Sequence, residues 1–167
     1  MKKVILILLT LTFLCSCGET PESTFEKDGV YLLSPKGWSI SEKEDLGSGY
    51  YLTIEKDGFN SSGIMLVMWF EGVLNRTDLI NNFIDELRNQ WMFSDISSRA
   101  IINNKFNSIS SLSLQYQGSV LGMPHEGVSH SFHINGKTFY VAKQGAVEDR
   151  DINEKGFDLI EKSFRVY

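Results

Sequence analysis

The chain has 167 residues, enough for one domain with a substantial buried core. Its 16 basic residues stand against 21 acidic ones, a formal charge of −5, and no basic stripe with interleaved aromatic residues interrupts that balance. An acidic surface repels phosphate backbones, so nucleic acid is not an expected partner.

Met1-Lys2-Lys3 is a short cationic leader, and Val4 to Leu14 is apolar except for Thr10 and Thr12. These are the n-region and h-region of a secretory signal. At ~1.5 Å per helical residue the run is too short for a hydrocarbon core of ~30 Å, so it reads as a signal and not as a permanent span. The residues that follow, Leu14-Cys15-Ser16-Cys17, resemble the lipobox of bacterial lipoproteins, in which a small residue precedes the acceptor cysteine. The resemblance implies a diacylglyceryl lipid on Cys17 and cleavage after Ser16, so that residues 1–16 are a lipoprotein signal peptide. Cys15 is the rival acceptor, but bulky Leu14 stands where a small side chain is needed; an ordinary secretory signal with incidental cysteines is the alternative.

Each methylene buried in a bilayer adds ~0.8 kcal/mol, so an anchor of two or three acyl chains holds stably. Without Lys2 and Lys3 the mature chain keeps 14 of the 16 basic residues against 21 acidic ones, about −7. The lipobox also implies that no thiol remains, because Cys15 leaves with the signal and Cys17 is a thioether. Disulfides, cysteine metal sites and a cysteine nucleophile are excluded with it. Gly18 is not the aspartate that retains enterobacterial lipoproteins in the inner membrane, which points to the outer membrane in a Gram-negative cell envelope.

Residues 17–24, ending in Gly18 to Thr24 (GETPEST), read as a lipidated flexible tether, and a single domain is expected over 25–167. Strand-like runs follow at Val30 to Leu33, Tyr50 to Glu55, Ile64 to Phe70, Ser98 to Ile102, Ser111 to Tyr116 and Val128 to Ala142. Ile64 to Phe70 is apolar throughout and is expected as a central strand covered on both faces. Gly47-Ser48-Gly49 reads as a hairpin turn. Asn135-Gly136 predicts a type I′ turn that sets Phe132 opposite Phe139, His133 opposite Thr138 and Ser131 opposite Tyr140. Helical spacing appears twice. Leu79, Ile80, Phe83, Ile84, Leu87 and Trp91 form one apolar stripe with Asn75 or Thr77 as N-cap. Ile152, Leu159, Ile160 and Phe164 form another, weakened by Gly156 at ~1 kcal/mol relative to alanine.

Pro35-Lys36-Gly37-Trp38 after a short strand resembles the "P-x-G-W" opening of PsbP-like domains, and Ile160-Glu161-Lys162-Ser163-Phe164 resembles their closing "I-x-x-S-F". The order of hairpin, long helix and second run of strands agrees over nearly all of residues 25–167. The family holds the PsbP subunit of the photosystem II oxygen-evolving complex, a Ran-binding nuclear import factor of yeast, and many small bacterial lipoproteins. The resemblance implies an α+β fold, an α/β/α sandwich around a central, mainly antiparallel sheet with helices on both faces. It also implies action by protein binding, and it brings no catalytic residues to carry over.

The residues themselves suggest little chemistry. His125-Glu126-Gly127-Val128-Ser129-His130 misses the zinc-protease pattern H-E-x-x-H by one residue, which separates the histidines by about 140° on a helix. His130 and His133 differ by an odd number and point to opposite faces of one strand; packing near Val141 and bonding beside Thr138 are expected instead. Asp149, Asp151 and Asn153 copy the start of a calcium loop, but Glu154 replaces its glycine and Ile160 its bidentate glutamate. Acidic residues 148–154 are more simply placed at a helix N-terminus. No G-x-S-x-G elbow or phosphate-cradling glycine pattern is present. Trp69-Phe70 and Trp91-Met92-Phe93 are expected in the core, with a binding face as the alternative.

Gly118 to Gly127 (GSVLGMPHEG) interrupts two strands with apolar residues and glycines, and a partner-binding loop is expected at Val120, Leu121, Met123 and His125. The alternative is an ordinary hairpin connection with Leu121 and Met123 in the core. The sequence thus points to a non-catalytic, membrane-anchored accessory protein that binds another envelope protein. Small-ligand or divalent-cation binding is the alternative function. No catalytic residue, metal or cofactor is expected beyond the lipid on Cys17.

Overall fold

The computed structural model describes residues 19–58 and 61–167, so the segments read as signal peptide and lipobox, Cys17 included, lie outside the described residues. In chain order the elements are β1 (Ser23–Lys27), β2 (Val30–Ser34), β3 (Trp38–Asp45), β4 (Gly49–Lys56), β5 (Ile64–Glu71), α1 (Arg76–Asn89), β6 (Phe93–Ser98), β7 (Ile102–Phe106), β8 (Ile109–Val120), β9 (Met123–Ile134), β10 (Lys137–Ala146), α2 (Arg150–Ser163) and β11 (Arg165–Val166). The large sheet runs β3-β4-β5-β10-β9-β8-β6, and β7 pairs with the first half of the β8 edge that β6 occupies further on. A small sheet, β1-β2-β11, pairs the first and last strands with the two edges of β2. All these pairs are antiparallel, giving a mostly antiparallel α+β fold with two α-helices among the described residues.

Asn135 and Gly136 both take positive φ, 51° and 77°, and set the expected register: Phe132 lies opposite Phe139, His133 opposite Thr138 and Ser131 opposite Tyr140. Gly47 likewise turns at φ 78° between β3 and β4. Side chains of β10 alternate between two cores. Phe139 and Val141 join Val67, Trp69, Ile160, Phe164, Val30 and Leu32, whereas Tyr140 and Ala142 join Ile80, Ile84 and Leu87 of α1. Neighbouring residues of a strand face opposite ways, so the two cores lie on opposite sides of the large sheet. On β5, Met65, Val67 and Trp69 are buried, while Leu66 and Met68 are only partly covered, so the expectation of full cover holds on one face.

Both helices form where the apolar spacing places them, but neither buries quite the expected stripe. Asn75 is the N-cap of α1, its side chain accepting from the Thr77 N–H at 3.0 Å and the Asp78 N–H at 3.4 Å. Trp91 lies past the end of α1 and is 84% exposed, so it belongs neither to the stripe nor to the core. In α2 the buried residues are Asn153, Gly156 and Ile160, while Ile152 and Leu159 are 57% and 51% exposed. The rotation has a steric cause: a methyl group on Gly156 would overlap the indole of Trp38, which seats on the bare backbone there.

Two further expectations change. The run from Ser98 to Ile102 is not one strand, because β6 ends at Ser98 and β7 begins at Ile102, further along the same edge of β8. β1 begins at Ser23, inside the stretch read as tether. Thr20 is already fixed: its carbonyl accepts from the Gly37 N–H at 2.9 Å and its N–H donates to Asp57 Oδ2 at 3.2 Å. Burial raises the Asp57 carboxyl, but hydrogen bonds from Thr20 and Ser39 outweigh it and lower the pKa.

Candidate functional site

The segment expected as a loop, residues 118–127, is strand almost throughout. β8 and β9 stay paired to Val120 opposite Met123, and two residues close the hairpin, Leu121 at φ 50° and Gly122 at φ 86°. Two consecutive positive φ values fit the twist of a tight hairpin, which a loop of ten residues does not need. Val120, Leu121 and Met123 stay together at the hairpin tip, and His125 alone of the four is buried. Val120 is half-buried opposite Phe93 of β6, and Leu121 and Met123 are 66% and 50% exposed, so neither is tucked into the core. His125 is buried, with Nδ1 3.0 Å from the Met123 carbonyl. The Leu121 N–H donates to the Met92 carbonyl at 2.9 Å, which sets Trp91 and Met92 beside the tip.

The remaining histidines are structural. His130 lies opposite Val141, with Nδ1 3.1 Å from Ser111 Oγ and its ring 5.6 Å from that of Phe106. Burial, with the Lys143 charge adding to it and Glu161 opposing, lowers its pKa to about 4, so the ring is neutral at pH 7. His133 Nε2 bonds to the Leu74 carbonyl at 3.0 Å beside Thr138. Among the described residues no three His, Cys, Asp or Glu side chains are arranged to hold a metal ion.

The acidic run begins in a 3-10 turn, Val147–Asp149, and continues into the first turn of α2. Asp149 Oδ2 accepts from Ser62 Oγ at 2.7 Å, and that same hydroxyl accepts from the Ala146 N–H at 2.8 Å and Asn153 Nδ2 at 3.2 Å. Asp149 and Asn153 are therefore occupied in joining α2 to the chain before β5. They do not converge with Asp151 on a cation.

A groove of about 510 Å³ lies beside α2, lined by Gln115, Gln117, Glu126, Lys143, Arg150 and Glu154 among others. Gly127 and Gly145 open its floor; Tyr116 lies against Gly127 and donates to Gln144 Oε1 at 3.2 Å. Burial pushes the Tyr116 phenol well above its usual range. Arg150 clasps Glu126 through Nε and Nη2, and Lys143 meets Glu161 at 2.5 Å. With Arg150, Glu126 and Lys143 in ion pairs and the phenol protonated, the groove offers hydrogen bonds and charge recognition. The alternation of β8 hints at Gln115 and Gln117, but nothing local in sequence brings Glu126, Lys143 and Arg150 together.

Among the described residues no helix is long and apolar enough to cross a membrane. No family model matches the sequence, and no curated protein does. Among solved structures the chain is similar to cyanobacterial PsbP (CyanoP) from Synechocystis sp. PCC 6803, with a TM-score of 0.59 and 18% identity over 92% of this chain and 99% of that one. It is also similar to LpqN, described as involved in cell envelope biogenesis of Mycobacterium tuberculosis, with a TM-score of 0.49 and 11% identity over 87% and 90% of the two chains. The sheet order, the helix after β5 and the near-complete coverage agree with the opening and closing motifs read from the sequence: the fold is PsbP-like.

Proposed function

We propose that the chain is a non-catalytic lipoprotein of the cell envelope, anchored through lipid on Cys17, whose domain binds another envelope protein. The groove beside α2 carries this reading, because it opens at the surface with both signs of charge, the Arg150–Glu126 pair and Glu154 outside any ion pair among the described residues, for the side chains of a protein partner. The anchor rests on Leu14-Cys15-Ser16-Cys17, and Gly18 favours outer-membrane sorting in a Gram-negative cell. We read the layers as an α/β/α sandwich, α1 over one face and α2 with the small sheet over the other. The bonds of Asp149 and Asn153 to Ser62 support protein binding over cation binding.

The test places a photo-cross-linking residue at Gln117 or Asp158, at the groove, and at Lys43 on the far edge strand, in the lipidated protein in its own cells. One partner captured from the groove positions and not from Lys43 is expected. Equal capture from all three positions, or none, counts against the reading.

A further inference from the structure

We infer that the β8–β9 hairpin tip and the neighbouring Trp91-Met92 turn form a second membrane contact, dipping into the bilayer that holds the Cys17 lipid. The inference rests on the lipid-anchor reading and assigns the tip to lipid, leaving the groove to the protein partner.

Three observations converge on it. The first is composition: Trp91, Met92, Leu121 and Met123 are exposed by 84%, 36%, 66% and 50%. The two segments that carry them, 90–94 and 119–124, contain no charged residue in a chain of net charge −5. Tryptophan with flexible apolar neighbours suits the boundary between headgroups and acyl chains.

The second is backbone strain. Among the described residues the other non-glycine residues with positive φ are Asp28, Asp95, Asn107 and Asn135, whose short polar side chains tolerate that region. Leu121, at φ 50°, has no such excuse, and its side chain projects outward. A strained, exposed leucine at a position that asparagine would fill better points to a use for the side chain.

The third is where the anchor enters. Glu55, Ile64, Gln144, Gly127 and Tyr116 form one row across the large sheet. Asp57, which holds Thr20, is two residues beyond that row, and Val120 and Met123 are four residues beyond it at the same end of the sheet. Cys17 precedes Thr20 by three residues, a reach of at most ~10 Å. The entry of the anchor and the tip thus lie beyond the same end of the sheet, four strand spacings or about 19 Å apart from β4 to β8. Another exposed apolar pair, Val73 and Leu74, lies at the opposite end, between Glu71 and Arg76.

The test reconstitutes the lipidated full-length product into phosphatidylethanolamine–phosphatidylglycerol vesicles with brominated acyl chains and reads tryptophan emission. Trp38 and Trp69 are buried and supply a constant background. Expected is a loss of emission that disappears in Trp91→Phe and shrinks in Leu121→Asn, while Leu121→Asn melts at a higher temperature because the strain is relieved. Unquenched Trp91 in protein that still floats with the vesicles overturns the inference and leaves the anchor standing, as does protein cross-linking from position 121 without quenching. Metabolic labelling of Cys17 with palmitate is scored separately. An unlabelled Cys17 removes the anchor and the inference together.

Discussion

Phe106 of β7 sits where three aromatic neighbours meet, its ring 5.3 Å from Phe132, 5.4 Å from Phe164 and 5.6 Å from His130. It is fully buried, so Phe106→Ala should cost about 3–5 kcal/mol in equilibrium unfolding; a cost below 1 kcal/mol would mean that β7 is not integral to this core. His130 beside it links stability to pH. Its imidazole titrates near 6.5 when unfolded and at about 4 in the fold. Well above pH 6.5 both states are neutral and nothing is lost. As the pH falls toward 4 the unfolded chain takes a proton that the folded one refuses, so stability falls by about 2 kcal/mol at pH 4.5. His130→Gln, which can still bond to Ser111, should flatten that part of the profile; denaturant titrations of both proteins at pH 7 and 4.5 check it.

At the scale of elements the glycine in α2 reverses its first meaning. Gly156 reads from sequence as a weak point in a helix, and propensity alone predicts a gain on Gly156→Ala of ~1 kcal/mol. The Trp38 indole occupies the space, so the expected result is a loss of about 1–3 kcal/mol by thermal or chemical denaturation. Asn75→Ala at the start of α1 should lose about 1 kcal/mol, and Asn75→Asp should keep most of it. These two residues also mark what a sequence discloses. The cap, the Asn135-Gly136 turn and the apolar run of β5 are legible because their causes are local, a few residues of backbone chemistry. The rotation of α2 was not, because Trp38 is remote in sequence and only the folded chain sets it on Gly156. The 118–127 hairpin was missed for another reason: Leu121 occupies a turn position where asparagine or glycine is the usual signal, so the turn went unannounced.

For the whole molecule, the motifs at Pro35 to Trp38 and Ile160 to Phe164 disclosed the fold because they sit at its seams. The first ends in the indole that packs on α2, and the second ends in Phe164 within the aromatic core. The groove was not disclosed, since its charges come from β9, β10 and α2 and meet only after folding. Cys17→Ala should abolish palmitate labelling and shift the protein from the membrane to the soluble fraction on cell fractionation; retention on the membrane would contradict anchoring by that residue. The small sheet bears on how such an anchored protein fails under load. A pull directed along the anchor would reach the fold first at Thr20 and its bonds to Gly37 and Asp57, and then at β1, an edge strand that pairs with β2 alone. β1 could peel from β2 while β11 still grips the other edge, and its departure would draw Phe25 from its place beside Tyr50 and Trp69. Residues 20–27 would then behave as a mechanical fuse, giving length under shear from a moving partner before the rest of the core is asked to yield.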